Sequence, residues 1–415
     1  MIIVRFNCRV ITPMFIGNAT SLESEIRPSA ITGMMRFWWR AMNAPLAAKG
    51  IYKLRNTEEK LFGGVGDSVT RSSFDLWVEN LNGKEKTAEN LLADYDVTTG
   101  LAYLLYTLKH QNKNRLGFEP KSTSFDLVFS FRDKENLKKV LSSFWLSIFL
   151  GGFGTRARRG AGCLKITDVD FGVLVPNDLD LKFYSDKEEN AESFFSQNYK
   201  RAKDLVQEVS GDSFSNTYSH LEGAKIRIHK GGHNDWGGAL NNIGDIFQRS
   251  RGSKIVFGKK NEAKPKNIAF KDKEVLKKLK GKLHTSKYNK NKAKINSLDA
   301  KAAFGLPIQV MNVGEMNLAN VKNDENHRSS PIVISCIFLN NKFHWTVTHL
   351  QGNFLPSNSN TIKVTTKRSL YANGKFELKK ENEEYLKDNP FQKVDNTLLN
   401  YFLNQLNQHS HIITL

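Results

Sequence analysis

The densest chemistry in the chain lies at Gly151-Gly152-Phe153-Gly154-Thr155-Arg156-Ala157-Arg158-Arg159-Gly160-Ala161-Gly162, with five glycines, three arginines and no acidic residue. Glycine lets a backbone approach a ligand and leaves N–H groups open to an anion. Arginine adds a planar fork that fits phosphate oxygens two at a time. Together they predict a cradle for a sugar-phosphate backbone. A dinucleotide fingerprint needs strand, loop and helix in that order. Here Leu137, Val140, Leu141, Phe144, Trp145 and Ile148 recur at helical spacing before the loop, and Cys163 to Phe171 reads as a strand after it. The order is reversed, so the Rossmann reading fails.

Other reactive residues are scattered. There is no Walker loop, His-Glu-x-x-His helix or nucleophile elbow, and no cofactor is expected. The best metal set is His229, His233 and Asp235, but Gly231-Gly232 breaks the helix that would put both histidines on one face, so no metal is expected either. A metal-independent ribonuclease could use His344 and His349, or His220 and His229, as general base, with Asp67 a further acid. A lone histidine is more often structural, and an Asp after Gly is ordinary turn chemistry.

The 415 residues suffice for two domains, and an apolar fraction of 40% with 27 phenylalanines argues for real cores. A net charge of +19 points to a polyanionic partner held in a salt-dependent way. Cys8, Cys163 and Cys336 are isolated, which fits a reducing cytoplasm. No apolar run reaches about 18 residues, so no membrane association is expected.

The elements that position the loop follow from periodicity. Residues 2–11 alternate as a half-buried strand. Ile31, Met34, Met35, Trp38, Trp39 and Met42 form the apolar stripe of a helix, with Ser29 its expected N-cap and Arg36 and Arg40 on the opposite side with no acidic neighbour in the helix. Strands follow at 73–79 and 125–131 around an inserted 81–121, which holds an apolar helix near Leu101 to Leu108. Residues 1–172 thus read strand, helix, strand, strand, helix, strand, a ferredoxin-like order whose open sheet face and marginal loop could bind RNA. Beyond, 195–207 suggests a helix and 236–249 a turn-rich segment. Residues 251–294 carry 16 Lys/Arg against 3 Asp/Glu, a solvated or polyanion-binding stretch that includes Lys259 and Lys260. Ile332 to Leu339, the turn Asn340-Asn341, the return strand with Phe343, Trp345 and Val347, and a helix with Leu398, Leu399, Phe402, Leu403 and Leu406 make 173–415 a second α+β domain.

Thr12-Pro13-Met14-Phe15-Ile16-Gly17, Ile26-Arg27-Pro28-Ser29-Ala30-Ile31-Thr32-Gly33 and Met35-Arg36-Phe37-Trp38-Trp39-Arg40 resemble the N-terminal signature of the RAMP proteins of CRISPR systems. More narrowly they resemble the first-numbered RAMP subunit of type III-B (Cmr) effectors, as do Leu61-Phe62-Gly63-Gly64, Phe304-Gly305-Leu306-Pro307 and Arg328-Ser329-Ser330-Pro331. The glycine-arginine stretch matches the RAMP glycine-rich loop in place and composition. The resemblance implies an α+β fold of two ferredoxin-like RAMP domains, each an antiparallel sheet with helices on one face, plus inserted loops. It implies a non-catalytic subunit contacting crRNA and target RNA near the crRNA 3′ end, beside other Cmr-complex RAMP subunits, in antiviral defence. The RNA-binding set is then Arg27, Arg36, Arg40, Gly151, Gly152, Gly154, Arg156, Arg158, Arg159, Lys259 and Lys260. The alternatives are a metal-independent endoribonuclease processing crRNA precursors and a general RNA chaperone; the latter fits the charge but not the tryptophan-arginine block.

Overall fold

The structure is a computed structural model. It describes residues 1–17, 23–66, 69–93, 99–108, 115–173, 176–185, 189–209, 218–251, 304, 308–310, 314–319, 329–352, 361–372, 375–386 and 396–414. Lys259, Lys260 and Asp67 lie outside these residues, as do all of 251–294 but Arg251, Gly305 to Pro307 and Arg328.

The first sheet comprises β1 (Ile2–Val10), β2 (Phe74–Asn82), β3 (Ser124–Phe131) and β4 (Leu164–Asp170), in the order β2-β3-β1-β4 and antiparallel throughout. Helix α1 (Pro28–Met42) connects β1 to β2, and α3 (Lys134–Leu150) connects β3 to β4. This is the ferredoxin-like arrangement expected from the periodicity. The alternation of β1 sends Val4, Phe6 and Cys8 inward, where Phe6 meets Phe129 and Phe144 edge-on. The tryptophans of the α1 stripe are fully buried, as the spacing predicts.

The expected N-cap is corrected. Arg27, not Ser29, takes that place, with Pro28 at the first helical position, where its fixed φ and missing N–H suit the first turn. A helix absent from the sequence reading, α2 (Ile51–Phe62), follows α1 and buries Leu54, Leu61 and Phe62. The open face of the sheet is mixed in charge. Its β2–β3 side carries Asp75, Glu79 and Asp126, with Arg5 already bound to Glu79 (2.5 Å) and Asp126 (3.3 Å), so that side repels phosphate, whereas Arg9 and Lys165 sit side by side on the same face at the β1–β4 margin.

Downstream of α4 (Ala191–Val206) the same topology recurs. Strands β5 (His220–His229), β6 (Ile332–Leu339), β7 (Lys342–Gln351) and β8 (Ser410–Ile413) pair in the order β6-β7-β5-β8. Helix α5 (Trp236–Ser250) follows β5, and α6 (Thr397–Asn407) precedes β8. The segment expected to be turn-rich is therefore a helix. Its Gly244 and the facing Gly100 come so close that a Cβ on either would strike the other's backbone, and Asn241 Oδ1 accepts the Leu101 amide at 3.2 Å. Asn340 and Asn341 adopt φ of +47° and +56°, the turn that joins β6 to β7 in two residues.

Contacts divide the chain into two compact units. Met1–Asp245 with Ile332–Gln351 and Leu406–Leu415 form one, which holds both of these sheets. Ile246–Pro331 with Gly352–Gln405 form the other. That second unit has its own antiparallel sheet over 308–310, 314–319, 361–372 and 375–386, and an aromatic cluster of Phe247, Phe304 and Phe402.

Candidate nucleic-acid interface

The glycine-arginine loop leaves the C-terminal end of α3 and is laid down against residues 12–17. Phe15 O accepts the Thr155 amide at 2.7 Å, Pro13 O accepts the Gly162 amide at 2.9 Å, and Thr12 Oγ1 accepts the Cys163 amide at 2.8 Å. Within the loop, the Phe153 amide bonds Gly162 O and the Arg159 amide bonds Arg156 O. These amides serve the protein rather than an anion. The glycines answer to crowding instead. Gly151 and Gly152 are buried, and a Cβ on them would sit 2.7 Å from Trp38 Nε1 and 2.5 Å from Ala161 O respectively. Gly154 alone of the three expected ligand glycines is exposed, at φ +90°.

The arginines divide by role. Arg159 donates to Ile332 O at 2.8 Å, and Arg158 O accepts the Ile334 amide at 3.1 Å, which ties the loop to the edge strand β6 of the second sheet. The guanidinium of Arg158 lies over the Phe37 ring of α1 at 5.2 Å. Arg156, at φ +64°, lies over the exposed Tyr106 at 5.1 Å and donates to Thr107 Oγ1 at 2.6 Å. Arg115 donates to Thr155 Oγ1 at 2.9 Å from the other side. Arg115, Tyr106 and Phe37 are site residues that sequence reasoning missed. Two come from the insertion 81–121, whose place beside the loop is a tertiary fact, and Phe37 sits between two tryptophan-stripe positions without sharing their burial.

Arg36 and Arg40 are less free than their helix suggests. Glu58 of α2, with its side chain only 7% exposed, accepts Arg40 at 2.6 Å and Arg36 at 3.2 Å. Arg36 also donates to Phe62 O at 2.8 Å and to Gly63 O. The helix itself has no acidic neighbour on this side, yet the next helix supplies one. Replacing Glu58 with Ala leaves two guanidinium groups facing each other over a buried gap. It is expected to cost about 1–3 kcal/mol, discounted for the partial exposure of both arginines, and to appear as a lower urea midpoint. Arg27 contributes its carbonyl to the first turn of α1, accepting the Ala30 amide at 3.0 Å.

The histidines considered as bases collect differently. His229 and His233 stack with centroids 4.7 Å apart, and His344 Nδ1 meets His229 O at 2.8 Å. His220 and His344 are buried. Burial, then the neighbouring imidazoles of His233, His344 and His409, push His229 down to about 4, and burial also lowers His220, His233 and His344. His349 is pushed down to about 4 by burial and then by Arg227 and Lys225. Below pH 6.5 the unfolded chain takes protons onto these rings before the folded chain does. Stability is thus complete above about pH 6.5 and falls as pH drops toward 4. The melting temperature is expected to fall between about pH 7 and about pH 5, and to fall less in His229→Gln. Among the described residues no group of three or more His, Cys, Asp or Glu is arranged to hold a metal ion, and no helix is long and apolar enough to cross a membrane.

Two ferredoxin-like sheets of identical strand order, with an arginine-bearing glycine loop packed from the first onto the edge of the second, define a tandem RAMP-type α+β protein. Comparison with known proteins agrees. The RAMP superfamily profile matches residues 7–165. CRISPR system Cmr subunit Cmr1-2 of Pyrococcus furiosus is 30% identical over 175 residues, covering 39% of this chain and 93% of that protein. Cmr subunit Cmr1-1 of the same organism is 27% identical over 270 residues, covering 62% of this chain and 77% of that protein. The crystal structure of apo Cmr1 from P. furiosus shares the fold, with a TM-score of 0.54 at 22% identity over 86% of this chain and 90% of that one. The chain belongs to the RAMP superfamily, among the Cmr1 subunits of CRISPR Cmr effectors.

Proposed function

We propose that this subunit is a non-catalytic RNA-binding component of a type III-B ribonucleoprotein, its halves dividing near residue 172. It grips the crRNA or target-RNA backbone near the crRNA 3′ end, beside other RAMP subunits. Arg115, Arg156 and Arg158 form the gripping edge, with Tyr106 and Phe37 as stacking partners, while Arg159, Gly151 and Gly152 hold the loop in place. Positioning contacts of this kind suffice where guide pairing supplies sequence specificity.

The observation that carries the reading is Gly33. It lies mid-helix in α1, exposed, one turn before Phe37, and a Cβ there would meet nothing within 4 Å. Glycine inside a helix costs about 1 kcal/mol relative to alanine, and nothing among the described residues requires it here. A strand of RNA passing close to the helix backbone beside Arg158 gives it a reason. Gly33→Ala is therefore expected to raise fold stability by about 0.5–1 kcal/mol while weakening RNA binding severalfold. Anisotropy titrations with single-stranded RNA and a urea melt check both halves, and unchanged affinity would remove the close approach.

The function itself is tested by incubating the protein with labelled repeat-containing and unrelated RNA in EDTA, resolved on native and denaturing gels. Salt-sensitive shifts with intact RNA are expected. A discrete cut in the repeat would overturn the non-catalytic reading and return the histidines to the centre.

A further inference from the structure

Strand β6 closes one side of the second sheet and β4 closes one side of the first, so each has an edge with no further strand of its sheet beside it. Between them, beside the Asn340-Asn341 turn, lies a partly open cavity of about 240 Å³. Lys165, Thr167, Tyr184, Ser185 and Phe338 contribute to its lining, and Lys165 is the one charged side chain among the described lining residues. The role assigned to the glycine-arginine loop makes no use of this cavity.

Three features specify what it could hold. The first is charge. Lys165 sits opposite Arg9 in the β1–β4 register, and neither meets a carboxylate among the described residues. Two adjacent cations on one sheet repel, and an anion between them removes the repulsion. The second is aromatic surface. The Lys165 ammonium lies 4.1 Å from the centre of the Phe338 ring, and Tyr184 is 46% exposed.

The third is the backbone edge. The two-residue turn pairs Leu339 with Lys342, which directs the amides of alternate residues Ile334, Cys336 and Phe338 outward. Arg158 O takes the Ile334 amide, and Cys163 Sγ takes the Cys336 amide at 3.3 Å. The next in the series, the N–H and C=O of Phe338, turns toward the cavity, where no described residue bonds it. One free donor–acceptor pair is too little for an added β-strand, which needs several in succession. It matches the edge of one nucleobase.

We propose that this cavity is a nucleotide site, with the phosphate on Lys165 and Arg9, the base against Phe338 and Tyr184, and its polar edge read by the Phe338 main chain. The volume lies below the roughly 300–1,000 Å³ of sites for larger ligands, which fits a single base. The site does not depend on the loop's role in RNA binding.

The test is calorimetric titration of the full chain with AMP, GMP, CMP and UMP, with ribose 5-phosphate and inorganic phosphate alongside. At least one mononucleotide is expected to saturate a single site about fivefold or more tighter than ribose 5-phosphate, and Lys165→Met to weaken it by about tenfold. Thermal melts of Lys165→Met and of Arg9→Ala, a second variant at the exposed end of the site, confirm folding. Competition by a uridine tetranucleotide would assign the site to one nucleotide of an RNA strand, and its absence to a free nucleotide; both sustain the proposal. No saturation by any mononucleotide, binding of ribose 5-phosphate equal to that of the mononucleotides, or unchanged binding in both folded variants would overturn it.

Discussion

Gly162→Ala is expected to be the most damaging single methyl group in the first unit, lowering stability by about 3 kcal/mol or more. Gly162 has φ +70°, a conformation that costs a residue with a Cβ about 1–2 kcal/mol before any contact is counted. The added carbon would lie 1.9 Å from Phe153 O, and this neighbour is backbone and cannot swing aside. The Gly162 amide is also the donor to Pro13 O, so any shift that relieves the clash breaks the seam between the loop and residues 12–17. The adjoining Cys163 amide, held by Thr12, moves with it. Urea denaturation followed by tryptophan fluorescence measures the loss. A midpoint within experimental error of the parent protein would mean that the loop is not the rigid joint described here.

The second large effect is on binding. Replacing Arg115, Arg156 and Arg158 together with Ala is expected to weaken single-stranded RNA binding about 100-fold or more at low salt. Three phosphate contacts at about 1 kcal/mol or more each account for that factor. The slope of log affinity against log salt should fall by about 2, since each lost contact on a single strand removes roughly 0.7. The loss should be the same for repeat-containing and unrelated RNA, because phosphate contacts carry no sequence information. Arg159→Ala is the informative control. Its guanidinium bonds Ile332 O inside the protein, so it is expected to destabilise the loop anchor more than it changes the salt slope. A triple variant that keeps both affinity and slope would place the RNA elsewhere on the subunit.

Residue patterns carried the framework. The alternation of Val4, Phe6 and Cys8, the stripe from Ile31 to Met42 and the apolar face of residues 137–148 each need only their own neighbours to declare a period. Asn340-Asn341 declared its turn by the same local logic. Where local signals mixed, tertiary contacts decided. Trp236-Gly237-Gly238 and Gly244 read as turns, yet packing against Gly100 makes that segment a helix in which small residues permit a close approach. Helix α2 carries too many charges for its short apolar stripe to stand out, and its Leu54, Leu61 and Phe62 are buried only once it packs in the core, where Phe62 meets Trp39 of α1 and Phe74 of β2.

The candidate interface follows the same division. By itself the sequence determined a strongly basic chain, a ferredoxin-like order in its first half, and a loop where glycine and arginine concentrate, because composition and period are local properties. It could not determine which arginines face outward. Glu58 reaches Arg36 and Arg40 from another helix, Ile332 captures Arg159 from another sheet, and Arg115 joins the loop from an insertion. An arginine's availability depends on the acceptors that the fold brings within about 3 Å of its guanidinium, and sequence spacing carries no information about those partners.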